Sequence, residues 1–143
     1  MSTAPSEKAE ANQLEMVVEC PQPPVEIYVD GRHLWRIIDN LMGNICKYAQ
    51  PGTRVYVTLE TFHGMVIMTF RNISKDRLKM TSEELFGRFV RGDSSRNTEG
   101  HGLGLSIAKS LTELMHGNLA VQMDGDLFKV ILSFEEYQED KKQ

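Results

Sequence analysis

The chain has 143 residues, 41% hydrophobic and 25% charged, with a formal net charge of −4. That length suits one domain with a real core, and the composition excludes wholesale disorder, a collagen-like repeat and a disulfide scaffold. The acidic balance argues against a nucleic-acid grip through bulk charge, and the longest apolar runs, such as Met65-Val66-Ile67-Met68, are too short to cross a bilayer.

No signal segment opens the sequence. Residues 1–13 are small, polar and charged, without a buried-face pattern, and read as a lead-in from something upstream. Leu14 to Cys20 and Val25 to Val29 read as two strands around the breaker Pro21-Gln22-Pro23-Pro24. Asp30 is a helix cap, and Leu34, Ile37, Ile38, Leu41, Met42, Ile45 and Ala49 recur at helical spacing over Gly31 to Gln50. Pro51-Gly52 stops that helix. Strands follow over Arg54 to Glu60 and Met65 to Phe70, joined by a tight turn at His63-Gly64.

From Arg71 to His101 the chain turns polar, Arg-bearing and Gly/Ser-rich, with one apolar knot from Leu85 to Val90. A second helix opens at Gly100-His101-Gly102-Leu103-Gly104, carries Leu105, Ala108, Leu111 and Met115, and is closed by Gly117. A hairpin around Asp124-Gly125-Asp126 ends the domain, and a charged tail runs over 138–143. The domain thus covers 14–137. The expected fold is an α/β two-layer sandwich: a mixed, largely antiparallel sheet of five or six strands with helices on one face. Cys20 and Cys46 lack metal-binding spacing and read as lone thiols in a reducing compartment.

Two patterns carry chemistry. Asn40, Asn44 and Lys47 lie at i, i+4 and i+7 on one stripe of the first long helix, beside its apolar face. Such a stripe is either a solvated helix side or a ligand surface, and amide oxygens are hard, neutral donors suited to Mg²⁺. Neutral amides hold such an ion poorly alone, so metal and phosphate should bind together. Gly100, Gly102 and Gly104 running into a helix are either a flexible hinge or a cradle for phosphate. The Walker pattern is excluded, because Lys109-Ser110 follows Ala108 and lies inside the helix.

Taken together, these segments resemble a known family. Leu34 to Tyr48, with Asn40 and Asn44, resembles the N box of sensor histidine kinases, and Leu85 to Asp93 looks like their F box. Gly100 to Ala108 resembles their G2 box, and Gly125 to Phe128 the turn opening their last strand. The boxes occur in the family's order and cover roughly Leu14 to Tyr137. The fold is shared with gyrase-type ATPases and the ninety-kilodalton heat-shock chaperone.

The resemblance implies an ATP-binding catalytic domain that transfers the γ-phosphoryl group to a histidine. Asn44, helped by Asn40, would hold Mg²⁺, and Lys47 and Tyr48 would reach phosphate or ribose. Arg91 would touch the phosphates, and Gly100, His101, Gly102, Leu103, Gly104 and Leu105 would cradle them. Residues Arg91 to His101 would form a lid.

One box departs from the family pattern, Asp-x-Gly-x-Gly. Asn72 stands at the place of the adenine-reading Asp and Ser74 at that of the first Gly. An amide oxygen still accepts from the adenine amine, without charge assistance.

ATP-hydrolysing members carry Glu at the place of Asn40, where it activates water. An amide takes no proton, so the chain is expected to be a kinase with slow intrinsic hydrolysis. None of His33, His63, His101 or His116 lies in the family's acceptor pattern. The acceptor is therefore expected on a separate helical hairpin, with a response regulator downstream. The knot Leu85-Phe86-Phe89 either docks on that hairpin or packs into the core. The resemblance further implies the cytoplasmic portion of a membrane-anchored bacterial sensor. A partner-binding domain without turnover and a serine kinase of the anti-sigma-factor type are the alternatives.

Overall fold

The computed structural model describes residues 5–20, 26–76 and 95–137. In chain order the elements are α1 (Pro5–Ala11), β1 (Glu15–Glu19), α2 (Gly31–Tyr48), β2 (Arg54–Phe62), β3 (Met65–Ile73), α3 (Ser95–Leu114), β4 (Asn118–Asp124) and β5 (Leu127–Glu135). The sheet runs in the order β1-β2-β3-β5-β4. β1 lies parallel to β2, and every other neighbouring pair is antiparallel. The expected mixed, largely antiparallel sheet is present.

Alternation along the strands separates its two faces. Val55, Phe70, Phe128, Val130, Leu132, Leu119 and Val121 share one buried cluster with Ile37, Leu41, Met42 and Ile45 of α2 and Leu105 and Ala108 of α3. Ile37, Met42, Leu105 and Leu132 are fully buried, each contributing roughly 1.5–3 kcal/mol through removal from water. The other face carries Tyr56 and Arg71, the guanidinium 5.4 Å from the ring centroid.

Several expectations shift. Of the two strands expected around the Pro-rich breaker, only the first forms among the described residues, and it does not pair with the segment that follows it in sequence. Instead β1 pairs with β2 across the α2 crossover, the connection a parallel pair requires. Ile27 makes only an isolated bridge to Glu136, and Val25 lies outside the described residues. The lead-in was expected to bury nothing, yet α1 places Ala9 in the core at 1% exposure. One methyl group gives no periodic signal, so short polar helices of this kind are invisible to pattern reading.

β3 continues through Asn72 and Ile73, beyond the expected end at Phe70, because β5 pairs it as far as Ile73↔Leu127. The second helix starts at Ser95, ahead of the glycines. Each glycine costs about 1 kcal/mol relative to alanine in a helix interior, but it keeps its N–H donor and so does not break the ladder as proline would.

At the end of α3 the left-handed residue is His116, with φ 66°, rather than Gly117. Gly117 serves a different purpose: a Cβ there would meet the Phe134 ring and lie 2.8 Å from the Ser133 carbonyl oxygen.

Candidate functional site

α2 begins where Asp30 accepts the Arg32 N–H at 2.8 Å and the His33 N–H at 3.4 Å. These bonds hold the Asp30 carboxyl below the usual carboxylate range, the Arg32 bond being the larger cause. The helix then presents Asn40, Asn44 and Lys47 along one stripe, as expected.

Asn44 is buried at 8% exposure and its Oδ1 has no hydrogen-bond partner among the described residues. Asn40 is half-buried, and its Nδ2 is likewise buried and without a partner among those residues. Lys47 is exposed, with Nζ 5.5 Å from the Tyr48 ring centroid.

The end of β3 is tied to the end of α2. Ala49 and Ser74 form an antiparallel bridge. The Gln50 N–H donates to the Ile73 carbonyl at 2.8 Å, and the Lys75 N–H to the Tyr48 carbonyl at 3.0 Å. From the other side the Ser74 N–H donates to the Asp126 carbonyl at 2.8 Å. These bonds fix Asn72 and Ser74 beneath the last turns of α2.

Asn72 points to the helix-covered face, is 3% exposed, and leaves its Oδ1 buried without a partner among the described residues. Ser74 is also buried, and its hydroxyl accepts the Asp76 N–H at 3.3 Å.

Asn40 and Asn44 on α2 and Asn72 at the end of β3 therefore each carry a buried polar atom with no partner among the described residues. An unsatisfied buried donor or acceptor costs about 1–3 kcal/mol, a cost that is offset where a ligand, ion or ordered water completes the bonding. The fourth orphan, Arg71 Nε, lies on the opposite face of the sheet. The donor set suits a hard cation beside an anion: Asn44 offers an oxygen, and Asn40 as oriented offers an N–H. Among the described residues no three His, Cys, Asp or Glu side chains cluster as a metal site.

On the far side, α3 brings Leu105 into the core against α2, at 0% exposure. Gly100, His101, Gly102, Leu103 and Gly104 lie within the helical span and not at its start, which corrects the expected cradle at a helix N-terminus. Their side chains, and Arg91 with the segment Leu85 to Asp93, lie outside the described residues. Of the expected lid, Ser95 to His101 is helical backbone. Sequence reasoning missed the carbonyls of Tyr48 and Asp126 as the struts of this site. The Asp124-Gly125-Asp126 turn was legible, but its bond to Ser74 is long-range.

Residues 29–138 match the family described as histidine kinase-, DNA gyrase B-, and HSP90-like ATPase. The sensor histidine kinase HprS of Escherichia coli K12 is 39% identical over 106 residues, 72% of this chain and 22% of that protein. RppB, a sensor histidine kinase of Synechocystis, is 36% identical over 114 residues, covering 75% and 25%. The solved catalytic domain of histidine kinase ThkA superposes with a TM-score of 0.74 at 19% identity, covering 91% of this chain and 84% of that one.

The chain belongs to the histidine kinase-, DNA gyrase B-, and HSP90-like ATPase family, and its sheet and helices have the architecture of a histidine kinase catalytic domain. It spans about a quarter of the length of the curated relatives it matches.

Proposed function

We propose that this domain binds Mg-ATP between α2 and the glycine-bearing part of α3, and passes the γ-phosphoryl group to a histidine on a separate helical hairpin. The observation that carries this reading is the set of orphaned carboxamide atoms on Asn40, Asn44 and Asn72. Asn44 supplies the oxygen for Mg²⁺, with Asn40 beside it. Asn72 and Ser74 meet the base, and Lys47, Tyr48 and Arg91 reach ribose or phosphate. Bound Mg²⁺ supplies charge neutralisation at the phosphates.

For Gly100 to Gly104 to donate N–H groups to phosphate, that part of α3 must release intrahelical bonds. Three glycines in five residues make this the least costly stretch of the helix to open, at about 1 kcal/mol each.

No carboxylate occupies the place of Asn40, so water beside the γ-phosphate lacks a base and transfer wins over hydrolysis. The relatives are sensor kinases. The acceptor hairpin, the response regulator beyond it and a cytoplasmic position in a membrane-anchored sensor follow from that likeness. Among the described residues no helix is long and apolar enough to cross a membrane.

The altered base-reading segment favours one alternative, a partner-binding domain without turnover. Calorimetry with ATP, with and without Mg²⁺, separates the two. Micromolar binding that needs Mg²⁺ and is lost in Asn44→Ala, followed by phosphorylation of a supplied acceptor hairpin, supports the kinase. Absence of binding at millimolar ATP supports the partner module.

A further inference from the structure

On the helix-covered face at this end of β3, Asn72 carries a buried side-chain acceptor that has no partner among the described residues. Ser74 has its hydroxyl on the Asp76 N–H and its own N–H on the Asp126 carbonyl. Asn72 is 3% exposed, faces the helices, and no partner holds its Oδ1.

A carboxylate in that place would only accept. It would suit the 6-amino group of adenine and oppose the 6-oxo group of guanine or hypoxanthine, leaving two acceptors face to face. A carboxamide has an acceptor and a donor on one planar group, exchanged by a half-turn about a soft two-fold torsion. Turned one way it accepts from a 6-amine; turned the other way it donates to a 6-oxo group. The strong discrimination that comes from stranding an unpaired polar group is therefore lost.

We infer that Asn72 makes this site accept 6-oxopurine triphosphates as well as ATP. The inference rests on the nucleotide reading above and extends it to the class of base.

The test compares dissociation constants of Mg-ATP, Mg-ITP and Mg-GTP by calorimetry on the whole chain and on Asn72→Asp. ITP and GTP are expected within about tenfold of ATP on the native chain, against the far larger ratios of sites whose unpaired groups reject an analogue. Asn72→Asp is expected to widen the gap at least another tenfold, about 1.4 kcal/mol, by tightening ATP and weakening the 6-oxo nucleotides. Should that variant not fold, Asn72→Ala, which removes both halves of the amide, is expected to weaken ATP and ITP alike.

A native gap beyond tenfold overturns the inference, as does an unchanged ratio in Asn72→Asp or an ATP-selective loss in Asn72→Ala. Failure of every nucleotide to bind overturns the nucleotide reading itself. ATP bound with ITP and GTP rejected overturns only the base selectivity.

Discussion

Asn72 stands directly across the β3–β5 ladder from Phe128, so a buried carboxamide with an unpartnered oxygen shares its face with an aromatic ring that is 5% exposed. Such a neighbour offers packing and no hydrogen bond. If Asn72 serves the fold, its removal should destabilise; if it serves a ligand, the fold should be indifferent or gain. Asn72→Leu is expected to leave stability unchanged or raise it by about 1 kcal/mol, since an unsatisfied buried polar group is replaced by a near-isosteric apolar one. ATP affinity should fall in the same variant. Urea unfolding beside calorimetry checks both halves.

Asn44 makes the corresponding argument for the metal. Its Oδ1 makes no bond within the described protein, so truncation should remove little stability. Asn44→Ala is expected to lower Mg-dependent ATP affinity by more than about tenfold and to leave the thermal midpoint within a few degrees. The signature is the loss of Mg²⁺ dependence, read by titrating ATP in the presence of chelator and of excess Mg²⁺.

Asn40 tests the choice between transfer and hydrolysis. A positioned general base is worth about 10²–10⁴ in rate, and an amide supplies none of it. Asn40→Glu is expected to raise phosphate release from ATP at least tenfold over the native chain while phosphotransfer to a supplied hairpin falls. Unchanged release would show that the α2 stripe does not face the γ-phosphate.

How much of this was legible in the sequence depended on range. The α2 cap, the apolar face of α2 and the His63-Gly64 turn, with φ of 52° and 78°, are local features that propensity and periodicity reach. The extension of β3 through Asn72 was not legible. It depends on β5 lying opposite, more than fifty residues away, and the turn-like character of Asn and Ser pointed to a loop. The stripe of Asn40 and Asn44 could be placed but not interpreted from spacing alone. Burial without partners separates it from a solvated helix side. The run from Gly100 to Gly104 shows the reverse error, since glycine composition suggests a helix start while the backbone hydrogen bonds carry the helix through it.

Gly117 gives a stability prediction independent of any ligand. A Cβ there would lie 2.8 Å from the Ser133 carbonyl oxygen, which belongs to the β5 backbone and cannot move aside as a flexible side chain would. Gly117→Ala is expected to destabilise by about 2 kcal/mol, the usual scale of overpacking, measured as a lower urea midpoint. At Gly43 an added Cβ meets nothing within 4 Å, so Gly43→Ala serves as the matched control and should not destabilise.

The cap of α2 gives the last prediction, a dependence on pH. Asp30 accepts two backbone N–H bonds as a carboxylate, and its pKa is lowered by them. A lowered folded-state value means that the unfolded chain binds the proton more readily. The stabilisation is then present above the ordinary carboxylate pKa and is lost as pH falls through the lowered one. Asp30→Asn keeps an acceptor oxygen at the cap without a titrating proton. Asp30→Ala should lower the thermal midpoint by a few degrees at neutral pH. The native chain should approach that variant as pH falls below the carboxylate range, while Asp30→Asn should show no such convergence at this residue. Thermal melts of the three proteins across acid pH measure the difference, and coincident curves for the native chain and Asp30→Ala would show that Asp30 contributes no cap.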